Sequence, residues 1–184
     1  MQSMALYLSS IILAVLAINC QNSKYQNKGV DSINEYVTSV ENKNLQSEKV
    51  VFYDEYREQD AMTLVTVANS EMTAYKEGGE LVKLEVNYNG SHGDLKTTFY
   101  CENGNIVYVR KQLDIYNPPK YESESKLSKT IVNEFYLSKQ SIIEFKNEGG
   151  VIRLNKPNDM DLEEKFEELH QDYNKYIQIL SNKN

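Results

Sequence analysis

Few side chains in this chain belong to the types that do covalent or metal chemistry: two cysteines, Cys20 and Cys101, and two histidines, His92 and His170. Zinc sites draw their ligands from close Cys and His pairs, and these four share no such spacing, so no metal site is assigned. His92 stands between Ser91 and Gly93, a turn context, and His170 lies in an amphipathic stretch. Neither belongs to a recognisable Ser-His-acid arrangement, so no catalytic residue is assigned. Asp159-x-Asp161-x-Glu163 mimics part of a calcium loop but lacks its sharp-turn glycine and distal bidentate glutamate. Acids in that position are expected at the positive end of a helix dipole. The run Tyr53-Asp54-Glu55-Tyr56-Arg57-Glu58 reads as a partly exposed strand or helix end, with a ligand-facing edge as the alternative. Gly78-Gly79 and Gly149-Gly150 do not open helices, so no phosphate-cradling loop and no cofactor is assigned. With 20 Lys and Arg against 27 Asp and Glu the net charge is −7, which argues against nucleic acid as a partner.

Cys20 stands apart because of what precedes it. Ala5 to Ile18 is a run of 14 residues without a charge, and the chain turns polar at once at Gln21, Asn22, Ser23 and Lys24. A membrane-spanning helix needs about 20 apolar residues. A run of 14 has the length of a secretory signal peptide's hydrophobic region, although Met1 to Met4 carries no Lys or Arg. Leu16-Ala17-Ile18-Asn19-Cys20 resembles the lipobox of bacterial lipoproteins, with Asn19 where that family carries Gly or Ala. The resemblance implies that residues 1–19 are removed and that Cys20 becomes an acylated first residue. It implies a membrane partner reached through the lipid, since two or more acyl chains make a durable tether. Two other readings stay open: an ordinary signal peptide, with a disulfide from Cys20 to Cys101 in an oxidising compartment, and an uncleaved N-terminal anchor. If Cys20 is acylated, Cys101 is expected to be a small buried hydrophobe. Gln21 does not look like an inner-membrane retention signal, so the outer membrane is the expected address. Residues 20–48 then read as a polar tether, interrupted by a short helix through Val30, Ile33, Tyr36, Val37 and Val40, capped by Asp31 or Ser32.

The body that would be tethered, residues 49–184, contains an internal repeat. Tyr75-Lys-Glu-Gly-Gly79-Glu-Leu81-Val82-Lys-Leu84, Tyr100-Cys-Glu-Asn-Gly104-Asn-Ile106-Val107-Tyr-Val109 and Phe145-Lys-Asn-Glu-Gly149-Gly-Val151-Ile152-Arg-Leu154 share one spacing of aromatic, glycine and aliphatic residues. Each reads as a β-hairpin, with Gly78-Gly79, Asn103-Gly104 and Glu148-Gly149 as the central turn residues that must accept positive φ. Glu148 is the poorest of these for that backbone. The expected cross-strand pairs are Tyr75 with Val82, Tyr100 with Val107 and Phe145 with Ile152. Alternation places Val82, Leu84, Val86 and Tyr88 on one face, with Lys83, Glu85 and Asn87 on a wet face. In the middle hairpin Phe99, Cys101, Ile106 and Tyr108 make the second face apolar too, so it should be central and covered on both sides.

A turn at Asn89–Gly93, a strand over Met62–Ala68, a strand end at Asn117-Pro118-Pro119, an exposed loop over 120–129 and a strand over Ile131–Leu137 complete an antiparallel meander of about seven strands. Leu162, Phe166, Leu169, Tyr173, Tyr176 and Leu180 form a one-sided stripe, a C-terminal helix capped by Asn158. The fold class is α+β, the helix packing on the sheet. The hairpin repeat resembles, over residues 60–155, uncharacterised lipoproteins of Gram-negative bacteria and also, faintly, looks like MORN-type repeats, for which no span is assigned. That group carries no activity to transfer. The reading is therefore a lipid-anchored envelope protein that binds or supports rather than catalyses. The alternatives are an envelope hydrolase using surface-cleft carboxylates and an accessory subunit of an envelope complex.

Overall fold

The computed structural model describes residues 29–53, 67–153 and 160–182. Residues 1–19, Cys20, Met62 to Thr66, Asp54 to Glu58, Asn158 and Asp159 lie outside the described residues. Eight antiparallel strands pair strictly in chain order: β1 (Gln46–Phe52), β2 (Val67–Glu77), β3 (Glu80–Gly90), β4 (Gly93–Glu102), β5 (Asn105–Asn117), β6 (Lys126–Leu137), β7 (Ile142–Asn147) and β8 (Gly150–Arg153). Helix α1 (Val30–Glu41) precedes them and α2 (Met160–Ser181) follows. The α+β meander is as expected, with one strand more. The extra strand is β1, whose Gln46-Ser47-Glu48 start looks like tether in sequence but pairs with β2 from Gln46↔Lys76 to Phe52↔Ser70.

Turn chemistry fixes the hairpins. Gly78 and Gly79 lie at φ 59° and 91°, and Asn103 and Gly104 at 50° and 75°. Both central residues are therefore left-handed, as a type I′ turn requires. In the β7–β8 turn the positive φ, 118°, falls on Gly150 instead, which spares Glu148. Of the three expected pairs only Phe145↔Ile152 forms. Tyr75 faces Lys83 and Tyr100 faces Tyr108, because one residue is extra in each β-ladder, Val82 and Val107 respectively. The β6–β7 ladder has the same irregularity at Ile143. A bulge of this kind turns two successive residues toward one face. Val82 with Lys83, Val107 with Tyr108 and Ile143 with Glu144 all face α1, while Leu81, Ile106 and Ile142 join the opposite core.

That opposite core is the larger. Met72, Leu84, Val86, Tyr88, Phe99, Cys101, Val109 and Phe135 form a buried layer under α2, which contributes Leu169 and Tyr176. The expected stripe Leu162, Phe166, Leu169, Tyr173, Tyr176 and Leu180 is the face that packs. Burying each large apolar side chain here is worth roughly 1.5–3 kcal/mol. The Tyr88 and Tyr176 hydroxyls meet at 2.8 Å inside the layer, which satisfies both phenols. The middle hairpin is covered on both sides, Phe99 and Cys101 toward α2 and Tyr100 and Tyr108 toward α1.

Three expectations are corrected. The folded unit reaches back to α1, not to residue 49: Ile33 and Val40 are fully buried against the sheet, so this part of the supposed tether is core. No side chain caps α1; its N-cap is Gly29, and Asp31 lies inside the first turn. The stretch 126–129 is strand, not loop, since Leu127 pairs with Tyr116 and Lys129 with Ile115; it looks like a loop because Lys126 to Thr130 are exposed.

Candidate functional site

Residues directly opposite each other across strands share a face. On the α1 face one such row runs Tyr75, Lys83, Tyr100, Tyr108, Tyr136 and Glu144, from β2 to β7. The next runs Thr73, Glu85, Thr98, Arg110, Glu134 and Lys146, and a third runs Glu71, Asn87, Lys96, Gln112 and Val132. Helix α1 lies over the first row and the bulge residues Val82, Val107 and Ile143 beside it. Its Ile33 and Val40 pack with Val82, Tyr100, Tyr108 and Tyr136, and no apolar side chain of either helix packs on the second and third rows. Among the described residues, half of this face is therefore a polar floor left open beside a helix.

Lys83, expected to be wet, is 7% exposed. Its ammonium lies 3.0 Å from Glu41 of α1, 3.2 Å from Glu85 and 4.2 Å from the centre of the Tyr75 ring. These carboxylates raise its pKa against the opposing effect of burial. Tyr100 also donates to Glu41, at 2.7 Å. Burial works against charge on Glu41, but the Tyr100 hydroxyl and the Lys83 ammonium outweigh it and hold the carboxyl below its ordinary range. The Tyr136 hydroxyl reaches Asn34 at 3.1 Å, and Tyr36 donates to the Cys101 carbonyl. Lys111 does for α2 what Lys83 does for α1: also 7% exposed, it lies 3.4 Å from Glu168 and 3.3 Å from Asp172.

Along the floor the charges are mostly spoken for. Glu85 takes Lys96 at 3.2 Å, Glu71 takes Lys49 at 2.6 Å, Lys146 takes Glu144 at 3.2 Å, and Glu134 accepts from Tyr108 at 2.6 Å. Burial, then the hydrogen bond to Glu134, push the Tyr108 phenol far up, so it is a hydrogen-bond donor and never a base. General acid–base work by two carboxylates calls for a converging pair with one pKa raised. Among the described residues, the Glu41 and Glu168 carboxyls are both held below their ordinary range, Glu168 because Lys165 and Lys111 outweigh its burial.

The residues singled out from sequence fall elsewhere. His92 takes Ser91 Oγ at 2.9 Å within its own turn, and its ring meets Tyr121 edge-on. His170 Nδ1 lies 2.9 Å from the Phe166 carbonyl, one helical turn back. Asp161 is exposed in the first turn of α2, and Tyr53 is 77% exposed beyond β1. Cys101 is wholly buried, its thiol donating toward the Tyr173 hydroxyl at 3.4 Å, and burial pushes its pKa up to about 11. Among the described residues no group of three or more His, Cys, Asp or Glu is arranged to hold a metal ion, and no helix is long and apolar enough to cross a membrane. Sequence reasoning missed the floor because its rows exist only once the register is known, and each bulge shifts that register. The one available signal was the aliphatic doublet, Leu81-Val82, Ile106-Val107 and Ile142-Ile143, which breaks alternation wherever it occurs. No protein-family model, no curated protein and no solved structure matches the chain.

Proposed function

We propose that the chain is a binding module of a bacterial cell envelope, tethered to the membrane, the outer one in preference, through acyl chains on Cys20, and that the open floor beside α1 is the surface it presents. The address rests on the 14-residue uncharged run that ends at Cys20. The binding role is carried by one observation: a sheet face half covered by a helix, with polar side chains in register over the other half. The test is to express wild type and Cys20→Ala in a Gram-negative host and fractionate the envelope. Wild type should sediment with membranes and label with palmitate, and Cys20→Ala should do neither. A variant that stays with the membrane like wild type sinks the tether.

A second reading, an accessory subunit of an envelope complex, is favoured by β1. It pairs on one side only among the described residues, and beside that edge Val51 and Tyr53 are 68% and 77% exposed. An edge strand of this kind invites an added strand from a partner. Val51→Lys should shift the native-gel mobility of such a complex; unchanged mobility removes this reading.

A further inference from the structure

We infer that the open floor takes a ligand carrying a carboxylate on a hydroxyl-rich body, an acidic saccharide of the uronate kind, and that the Arg110 guanidinium grips the carboxylate. The inference deepens the binding role proposed above and rests on it. Arg110 stands near the middle of the sheet, opposite Thr98 on β4 and Glu134 on β6, and is half-buried. Its charge reaches the Tyr100 and Tyr108 phenols. The other charged side chains of its row and the next are engaged: Glu85 and Lys96 with each other, Lys146 with Glu144, Glu71 with Lys49, and Glu134 with Tyr108. Arg110 alone among them makes no hydrogen bond or ion pair within the described residues. A half-buried guanidinium with five donors and no protein acceptor calls for an acceptor from outside.

Two features of the floor choose that acceptor. A guanidinium fork fits carboxylate and phosphate alike. Here Arg110 is the one cation of these rows that holds no carboxylate, and the Glu134 and Glu85 carboxylates stand on either side of it, so a single negative charge meets less repulsion than a dianion. Beside Arg110, the Asn87 amide and the hydroxyl of the more deeply set Thr98 also have no partner among the described residues, and the large apolar side chains of the two rows, Val132, Val51 and Val151, lie away from Arg110 on β6 and on the end strands β1 and β8. From β3 to β5 the floor offers hydrogen bonds to hydroxyl groups and no apolar side chain for a peptide to pack on.

The experiment is isothermal titration of the full chain in non-ionic detergent with three probes: a methyl galacturonide, which carries one carboxylate, its neutral methyl ester, and inorganic phosphate. The acid should bind, with ester and phosphate at least tenfold weaker. Arg110→Gln should lower affinity for the acid roughly 10- to 100-fold, the worth of a charge-assisted hydrogen bond. Arg110→Lys, which keeps the charge and loses the fork, should fall between. Lys126→Gln, which removes a charge at the far end of β6, should bind like wild type. Circular dichroism melts of the variants confirm that each still folds. Equal binding of acid and ester, tighter binding of phosphate, wild-type affinity in Arg110→Gln, or no heat with any probe each overturns the inference. An ester that binds wild type and Arg110→Gln alike, and is lost in Asn87→Trp, overturns the carboxylate assignment while the open floor stands as a binding surface.

Discussion

Replacing Lys83 by methionine asks whether α1 is held to the sheet by charge or by packing. The methionine keeps most of the buried stem and removes the ammonium. Lys83 Nζ lies 3.0 Å from Glu41 and 3.2 Å from Glu85, whose side chains are 46% and 18% exposed. At an effective dielectric constant near 20, each contact is worth roughly 5 kcal/mol before desolvation. Burying the ammonium opposes that gain, and the half-exposed Glu41 is screened by water. Breaking a fully buried pair costs about 3–5 kcal/mol and an exposed one about 0–1, so this mixed geometry should cost about 2 kcal/mol at pH 7. The sign of the pH dependence follows from Glu41. Its folded pKa lies below the ordinary 4.5, so the folded state binds fewer protons than the unfolded state as pH falls through 4.5. Its contribution is present above that pH and lost below it. The Lys83→Met deficit should therefore be full at pH 7 and shrink toward pH 3. Urea unfolding followed by far-UV circular dichroism and by tyrosine emission, the chain having 14 Tyr and no Trp, measures both. An equal deficit at pH 7 and pH 3 would assign the loss to packing. A variant as stable as wild type at pH 7 would refute the electrostatic account.

Three further outcomes follow from the same contacts. Ile33→Ala should cost about 2–5 kcal/mol in the same urea assay, because α1 is core rather than tether; a loss within the noise would return it to the tether. In a Cys20→Ala background Cys101 should react with a thiol reagent at pH 8 only once the chain is unfolded. With its pKa pushed from 9.0 to about 11, the stability tied to that thiol is full below pH 9 and falls as pH rises toward 11; fast labelling of the folded protein would contradict this burial. Gly93→Ala would set a methyl 2.9 Å from the Asp114 carbonyl oxygen, and it should lower stability by about 1–3 kcal/mol, read as a shift in thermal midpoint.

What the sequence made legible is what local chemistry decides. Asn103-Gly104 and Gly78-Gly79 specify their turns by backbone freedom alone, and the stripe from Leu162 to Leu180 specifies one helical face. These needed no knowledge of the rest of the molecule. Lys83 and Lys111 were illegible for the opposite reason. A lysine between polar neighbours looks solvated, and only a helix from elsewhere in the chain, with carboxylates in the right place, makes it a buried anchor. The open floor is harder still, since it depends on six strands in register and on how far one helix reaches. Cys20, on which the proposed cellular address depends, lies outside the described residues.

The bulges join the legible and illegible parts, and they carry a prediction of their own. In a regular strand, loss of one residue sends every side chain beyond it to the other face. Deleting Glu85 should do this to β3, setting Leu84 and Val86 at odds with the core, and the protein should not fold. Deleting Val82 is different. Leu81 already faces the α2 core, Lys83 already faces α1, and Val82 is the residue without a cross-strand partner between them. Its removal restores simple alternation without moving any neighbour to the wrong side. The expected cost is the burial of one valine, about 1.5–3 kcal/mol, together with a looser α1. Side-by-side urea titrations of the two deletions read this directly: a folded, weakened Val82 deletion beside an unfolded Glu85 deletion. If both unfold alike, the extra residue is required for the twist of the sheet and does more than turn a second side chain toward α1.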